Sequence, residues 1–416
     1  MGGRPLDFDL HQKNTVGYPL PLNKALRPMS TQRTMSVLPV EAYTSQEWFD
    51  REQRIIFGNS WQFAGFPEDV NDPGDYVTVQ CGHQNIVVVK GRDQRLRAFH
   101  NLCRHRGTQL LRAVGKKQKA LTCPYHDWTY DLNGQLISVP AKEKEFPDLE
   151  LDSICLHKAS VDIWRGMLWV HPNPEAEPIT KWFTGVEEGL GPHNPSRLIE
   201  YPDTLYEKVI QANWKIVVEN YIDVYHLSHL HSNTLNMYDH SKAEFGFVGD
   251  HYLFWEPPVK KYAENLDKLI QSKRIAEVTD EHLGTWVPWL FPSVGLAEAE
   301  ATWSTFNVIP LAPDKTKVIV RSKLEEMSDW EYQRISSRNG ANWVKIMGGD
   351  TKYGNYDADD PMASGDFMEE DIYACEQQQK SLKNPLFNVT YTAQHGESTI
   401  REFQRVVKRW MEQGEQ

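Results

Sequence analysis

Two pairs of potential metal ligands stand close together in this chain: Cys103-Arg-His105 and, seventeen residues on, Cys123-Pro-Tyr-His126. Each pair joins a thiolate donor to an imidazole donor. Four such ligands suit a [2Fe–2S] cluster in which two Cys hold one iron and two His the other, and imidazole in place of thiolate raises the reduction potential. A structural zinc ion also accepts two Cys and two His. Zinc modules, however, pair Cys with Cys and His with His instead of interleaving them. Gly107 and Pro124 supply the unusual backbone that a tight loop around a cluster needs.

A second group lies in Glu219-Asn-Tyr-Ile-Asp223-Val-Tyr-His226-Leu-Ser-His229-Leu-His231, three His and two carboxylates within thirteen residues. A cluster passes electrons one at a time, whereas O₂ activation needs a metal with open positions. Two His and one carboxylate on one face of a non-heme Fe(II) provide that. On a helix His226 and His229 share a face. His226 and His231 lie roughly 140° apart and converge only if the helix bulges or ends. The spacing leaves both pairs open. Acids that could complete the set occur downstream at Asp366, Glu369, Glu370 and Asp371.

The elements that must position these groups divide into two kinds. Residues 60–172 read as short strands and turns, with strands at Tyr76–Val79, Asn85–Val89, Leu96–Phe99 and Trp164–Val170, and a turn at Asp131–Gly134. A small all-β domain is expected there. Prolines at 172, 174 and 178 mark a linker. Residues 178–416 combine strands at Thr302–Ile309 and Lys317–Val320 with helices near 210–232, 366–382 and 397–413. The pattern is α+β, without βαβ alternation. Ser45 caps a helix within 38–59 that ends near Gly58. Residues 1–37 read as an N-terminal extension.

Composition narrows the class. The net charge of −12 argues against general nucleic-acid binding. No apolar run approaches the roughly 18 residues of a membrane span, and Met1–Leu10 lacks a signal-peptide core. Five scattered Cys are not a disulfide framework. A cytoplasmic protein is expected. Arg104, Arg106, Arg112, Lys116, Lys117 and Lys119 form a basic patch beside the first ligand group that would steer an acidic electron donor.

The two Cys/His pairs, followed about a hundred residues later by Glu-Asn-x-x-Asp-x-Tyr-His-x-x-x-x-His, resemble the catalytic α-subunits of Rieske non-heme iron oxygenases, the ring-hydroxylating oxygenases. The likeness runs from about residue 38 to the end. It implies that Cys103, His105, Cys123 and His126 hold a Rieske [2Fe–2S] cluster, and that His226 and His231 are iron ligands with His229 a bystander. It makes Asp223 the bridge from an iron-ligand His to His126 of the partner subunit. The stretch from Glu370 to Glu376 looks like the family's late Glu-Asp-x-x-x-Cys-Glu segment, which makes Asp371 the third ligand. The resemblance also implies a helix-grip catalytic domain, a curved antiparallel sheet over a pocket, and a head-to-tail homotrimer. O₂ is the co-substrate. Electrons come from NAD(P)H through a separate reductase or ferredoxin, since no flavin or nucleotide motif is evident.

Trp286-Val-Pro-Trp289-Leu-Phe291 resembles the strand entering the family's substrate cavity, and Tyr225 and Trp303 are further aromatic candidates for its lining. The expected activity is hydroxylation of a small organic substrate, leaning toward an aromatic ring or aromatic acid. The alternative is monooxygenation or N-demethylation of a quaternary ammonium compound, for which the same aromatics would form a cation–π cage. Two rivals of other classes are an electron-transfer-only Rieske protein, against which the second ligand group argues, and a zinc-stabilised binding module, which would be colourless.

Overall fold

A continuous β-branched run such as Ile86-Val-Val-Val89 belongs in a strand covered on both faces. In a computed structural model of the chain all four of these side chains are fully buried in the strand Gln84–Lys90. The structure describes Leu26 and residues 35–270, 272–339, 360–387 and 391–414. Most of the N-terminal extension therefore lies outside the described residues.

The strand Gln84–Lys90 sits in a seven-stranded antiparallel sheet with Gln62–Gly65, Tyr76–Cys81, Leu96–His100, Val114–Gly115, Lys158–Trp164 and Met167–His171. Val87 and Val89 face a core that includes Cys103 and Cys123, whereas Ile86 and Val88 face Val70, Leu168 and Val170. A three-stranded sheet of Leu121–Thr122, Thr129–Tyr130 and Leu136–Ser138 carries the second ligand loop. The single strand expected over Trp164–Val170 is instead a hairpin. Arg165 and Gly166 both adopt positive φ, 46° and 70°, and Trp164 pairs with Met167 across them. Two such residues make the turn that matches strand twist, which a bulky arginine conceals in the sequence.

The C-terminal half is a curled antiparallel sheet in the order Ile199–Ile210, Lys315–Leu324, Trp303–Ala312, Val294–Glu298, Thr285–Trp286, His251–Glu256, Glu244–Val248, with Trp289–Leu290 pairing beside it. Helices Trp214–Ile222, Phe367–Leu382 and Ser398–Gln413 share one core with Phe57 and the sheet. The helix expected over 210–232 is shorter. Residues to Ile210 finish a strand, Asn213 caps the helix through its side chain, and the helix stops at Ile222. The α+β reading and the helix-grip sheet hold.

Ser45 does cap a helix, accepting from Trp48 N at 3.2 Å. That helix, Gln46–Glu52, continues through a π-helical turn, Gln53–Phe57, to Gly58. It delivers Glu52 into the C-terminal half, where the carboxylate meets Lys215 Nζ at 2.7 Å and Trp214 Nε1 at 2.8 Å, with both charged side chains fully buried. Burial raises the pKa of Glu52 and lowers that of Lys215, and each opposes the effect on the other. A second tie crosses between the two halves. Arg321 donates to both oxygens of Asp69 at 2.6 and 2.9 Å and to Glu200 at 2.7 Å.

Removing one member of a buried ion pair strands the other. Lys215→Met is expected to lower unfolding stability by about 3–5 kcal/mol, read by urea denaturation, and adding Glu52→Gln should restore a substantial part. Equal destabilisation of the single and double variants would contradict this role.

Candidate metal centres

The two Cys/His loops close in the same way. Cys103 N donates to Thr108 O at 2.9 Å and Gly107 N to Cys103 O at 2.9 Å. Cys123 N donates to Trp128 O at 2.9 Å and Asp127 N to Cys123 O at 3.0 Å. The fourth residue after each Cys takes positive φ, 74° at Gly107 and 54° at Asp127, a conformation open to Gly and tolerated by Asp. Both thiols are buried, and burial raises that of Cys103. The His105 ring stacks on Trp128 at 4.9 Å and lies 4.8 Å from the His126 ring. Its Nδ1 is buried without a hydrogen-bond partner. Tyr130 Oη takes the Arg104 N–H at 2.9 Å and sits 3.4 Å from Cys103 Sγ. Two buried thiols, an orphaned imidazole nitrogen and a second imidazole fit a mixed-ligand [2Fe–2S] cluster. His126 and Tyr125 face solvent. All six residues of the basic patch are exposed, and Lys116 is also tied to Asp75 at 3.2 Å.

The second centre forms where the helix Trp214–Ile222 stops. Asp223 has extended backbone, ψ 120°, and its Oδ1 accepts from Tyr225 N at 2.8 Å. The chain then makes a single turn, Leu227–Leu230, with His226 at its start and His231 at its end. This interruption brings together two imidazoles that a regular helix would splay apart. Their Nε2 atoms are 3.2 Å apart, and Asp371 Oδ1 lies 3.0 Å from His231 Nε2 and 3.6 Å from His226 Nε2. All three donors fall within 4.8 Å of one another. Three lone pairs so close repel unless a cation or a proton sits among them. The set suits a divalent metal bound by two His and a carboxylate with positions left over.

The surroundings orient each donor. His231 Nδ1 donates to Glu370 Oε2 at 2.8 Å, and Thr234 Oγ1 donates to the same oxygen at 2.9 Å. Asn220 Nδ2 donates to Asp371 Oδ1 at 3.1 Å. Burial alone would lower the pKa of His231, but Asp371 and Glu370 outweigh it and push it up to about 9. Burial alone would raise Asp371, but His231, His226 and Asn220 hold it below the ordinary carboxylate range. His226 Nδ1 is 3.1 Å from Asp223 Oδ2, yet it is buried without a hydrogen-bond partner. His229 stands apart, exposed, with Nδ1 on Tyr225 O at 3.1 Å.

Asp223, His226 and Asp371 border a cavity of about 180 Å³ whose remaining wall is mostly apolar. Tyr221, Tyr238, Tyr252, Phe254, Phe306 and Phe367 provide its aromatic faces. None of the five aromatics expected to line a pocket does so. Trp286, Trp289, Phe291 and Trp303 are buried in the cores, and Tyr225 is on the surface. Strand geometry explains the exchange. Side chains alternate across a sheet, so Thr285 and Val287 line the cavity and Trp286 between them turns away. Glu370, Asn220 and Thr234 are the positioning residues that sequence reasoning did not assign, although Glu370 was among the acids considered. Tyr252, Phe254 and Glu256 share the cavity face by alternation along one strand, but that strand is buried throughout and its sequence does not mark which face is which.

Comparison with known proteins agrees with this geometry. Residues 60–160 match the Rieske [2Fe-2S] domain family, and residues 196–413 match the ring hydroxylating alpha subunit (catalytic domain) family. The chain is similar to the glycine betaine monooxygenase oxygenase subunit of Chromohalobacter salexigens, 34% identical over 199 residues, which is 48% of this chain and 44% of that protein. It is likewise similar to the biphenyl 2,3-dioxygenase subunit alpha of Rhodococcus jostii, 33% identical over 188 residues, 44% of this chain and 41% of that protein. These matches span about half the length of the relatives. Among solved structures, a quaternary ammonium Rieske monooxygenase superposes with a TM-score of 0.71 at 20% identity, covering 93% of this chain and 100% of that one. Naphthalene 1,2-dioxygenase from Rhodococcus superposes at 0.67 and 18% identity, covering 90% and 94%. With more than half its residues matched by the catalytic-domain model and a Rieske domain before it, the chain belongs to the ring-hydroxylating alpha subunit family of Rieske oxygenases.

Proposed function

We propose that this protein is a terminal oxygenase component that hydroxylates a small organic substrate. The observation that supports this best is the convergence of His226, His231 and Asp371 beside a largely apolar cavity, in the same chain as four buried or loop-held cluster ligands. In this reading Cys103, His105, Cys123 and His126 hold the Rieske cluster, and His226, His231 and Asp371 hold the iron. When bound, the cluster would supply single electrons and the Fe(II) would supply O₂ activation.

The chain's own residues then have definite tasks. Glu370 fixes the proton of His231 on Nδ1 and leaves Nε2 free to bind metal, the usual support for a ligating imidazole. Asn220 steadies the Asp371 oxygen. Asp223 stands beside Nδ1 of His226 and, by our reading, takes the outer N–H of His126 of the partner subunit as well. That places a carboxylate between the two centres in a head-to-tail homotrimer. The aromatic wall excludes water and strengthens the field around the centre. Electrons would arrive from a separate reductase or ferredoxin fed by NAD(P)H, steered by the exposed arginines near the cluster loops. No described helix is long and apolar enough to cross a membrane, and we place the protein in the cytoplasm.

Two outcomes follow from these roles. Asp223→Ala should leave iron and sulfide contents unchanged and lower substrate-coupled turnover by about 10- to 100-fold or more; turnover near that of the parent would exclude the bridge. Metal affinity of the mononuclear site should depend on pH. His231 must lose its shared proton to bind, and Asp371 and Glu370 push its pKa up to about 9 against the effect of burial. Apparent affinity for Fe(II), titrated anaerobically, should thus fall about tenfold per pH unit below that value and level off above it. A flat profile would contradict a raised His231 pKa that metal binding must overcome.

A further inference from the structure

Three carboxylates and one imidazole reach the cavity among its described lining residues: Asp223, His226, Asp371 and Glu256. The first three belong to the metal centre and its bridge. Glu256 does not. It ends the strand His251–Glu256, is 3% exposed, and shares a wall with Tyr252 and Phe254 from the same strand. One oxygen, Oε2, accepts from His240 Nδ1 at 2.7 Å. A second buried carboxylate stands behind this wall. Tyr238, also a lining residue, donates to Glu300 Oε2 at 2.9 Å, and Glu300 Oε1 is buried with no hydrogen-bond partner. Among the described lining residues there is no Lys and no Arg.

A strap between the strand and the turn His240–Lys242 would explain one oxygen of Glu256, but not why the carboxylate sits in a cavity wall otherwise made of rings and aliphatic groups. An acid there is costly unless something compensates it. Burial does raise its pKa, and His240 opposes the rise. The wall discriminates by charge. A carboxylate-bearing guest would lose its hydration facing Glu256, with Glu300 behind, and find no Lys or Arg to pair with. A cation would gain Glu256 and the faces of several aromatic rings.

We infer that this cavity selects an organic cation carrying no carboxylate, with Glu256 as the residue that sets the preference. The inference rests on the oxygenase reading only in taking this cavity as the substrate's. It departs from the expectation of an aromatic acid.

The test uses the metal-loaded protein under anaerobic conditions and three soluble probes of similar size: benzylammonium, benzyl alcohol and benzoate. Calorimetric Kd values should rise in that order, with benzylammonium bound at least about tenfold more tightly than benzoate. Benzyltrimethylammonium should bind like benzylammonium. In Glu256→Gln the advantage of the cations over benzyl alcohol should shrink by about tenfold while the alcohol's Kd stays the same. Benzoate binding as well as the cations, or cations keeping their full advantage in Glu256→Gln, would overturn the inference. If the variant does not fold, the order in the parent protein decides alone. Iron and sulfide counts on the same preparation report on the oxygenase reading separately, so the two can fail independently.

Discussion

The catalytic half depends on one helix stopping in the right place. Trp214–Ile222 is capped at its start by Asn213, whose Oδ1 accepts from Lys215 N at 3.0 Å. The buried pair of Lys215 and Glu52 pins its first turn. At its end Thr399 Oγ1 donates to Ile222 O at 2.9 Å, and Val224 N donates to Gly396 O at 3.3 Å. The segment leading into the last helix thus satisfies groups that a terminating helix exposes. Gly396 permits this approach, because a Cβ there would lie 2.8 Å from Cβ of Tyr225. One further helical turn would carry His226 and His231 to different faces. Stopping it lets them converge.

The helix Phe367–Leu382 answers with two successive acids that divide one imidazole between them. Glu370 takes Nδ1 of His231 at 2.8 Å and Asp371 approaches Nε2 at 3.0 Å. Each does a different job: the first orients the ring, and the second joins it in a donor set. Burial of this group behind an aromatic wall makes each interaction stronger than it would be in water. The same burial makes an unpaired charge expensive, so the arrangement selects for a compensating cation at the centre. The wall's Glu256 extends that logic to the substrate.

Candidate donors for both centres could be found in the sequence because much of their chemistry is local. Cys-x-His and Cys-x-x-His, and the His226–His231 spacing, are contiguous motifs, and strand and helix periodicity located the cluster loops and the last two helices. What was not legible depended on tertiary structure. Helical periodicity alone could not choose between His229 and His231, because the break after Ile222 is fixed by Thr399 and Gly396, far along the chain. Of the four late acids, Asp366 caps the helix by accepting from Met368 N, and the other three differ in how the helix is rotated against Trp214–Ile222. The tryptophans misled because bulk marks core as readily as pocket. Trp286 shows this best: its smaller neighbours Thr285 and Val287 face the cavity instead. The Arg165-Gly166 turn was hidden because arginine rarely takes positive φ.

Both centres must be present together for the proposed chemistry, and a single preparation can show it. Iron and acid-labile sulfide should be counted in the purified, anaerobically reconstituted protein, and its electron paramagnetic resonance spectrum recorded after reduction. About three irons and two sulfides per chain with a Rieske signal are expected, one iron being lost selectively in His231→Ala. A colourless zinc protein would contradict the cluster, and two irons with two sulfides in the fully loaded parent protein would contradict the His226, His231 and Asp371 centre.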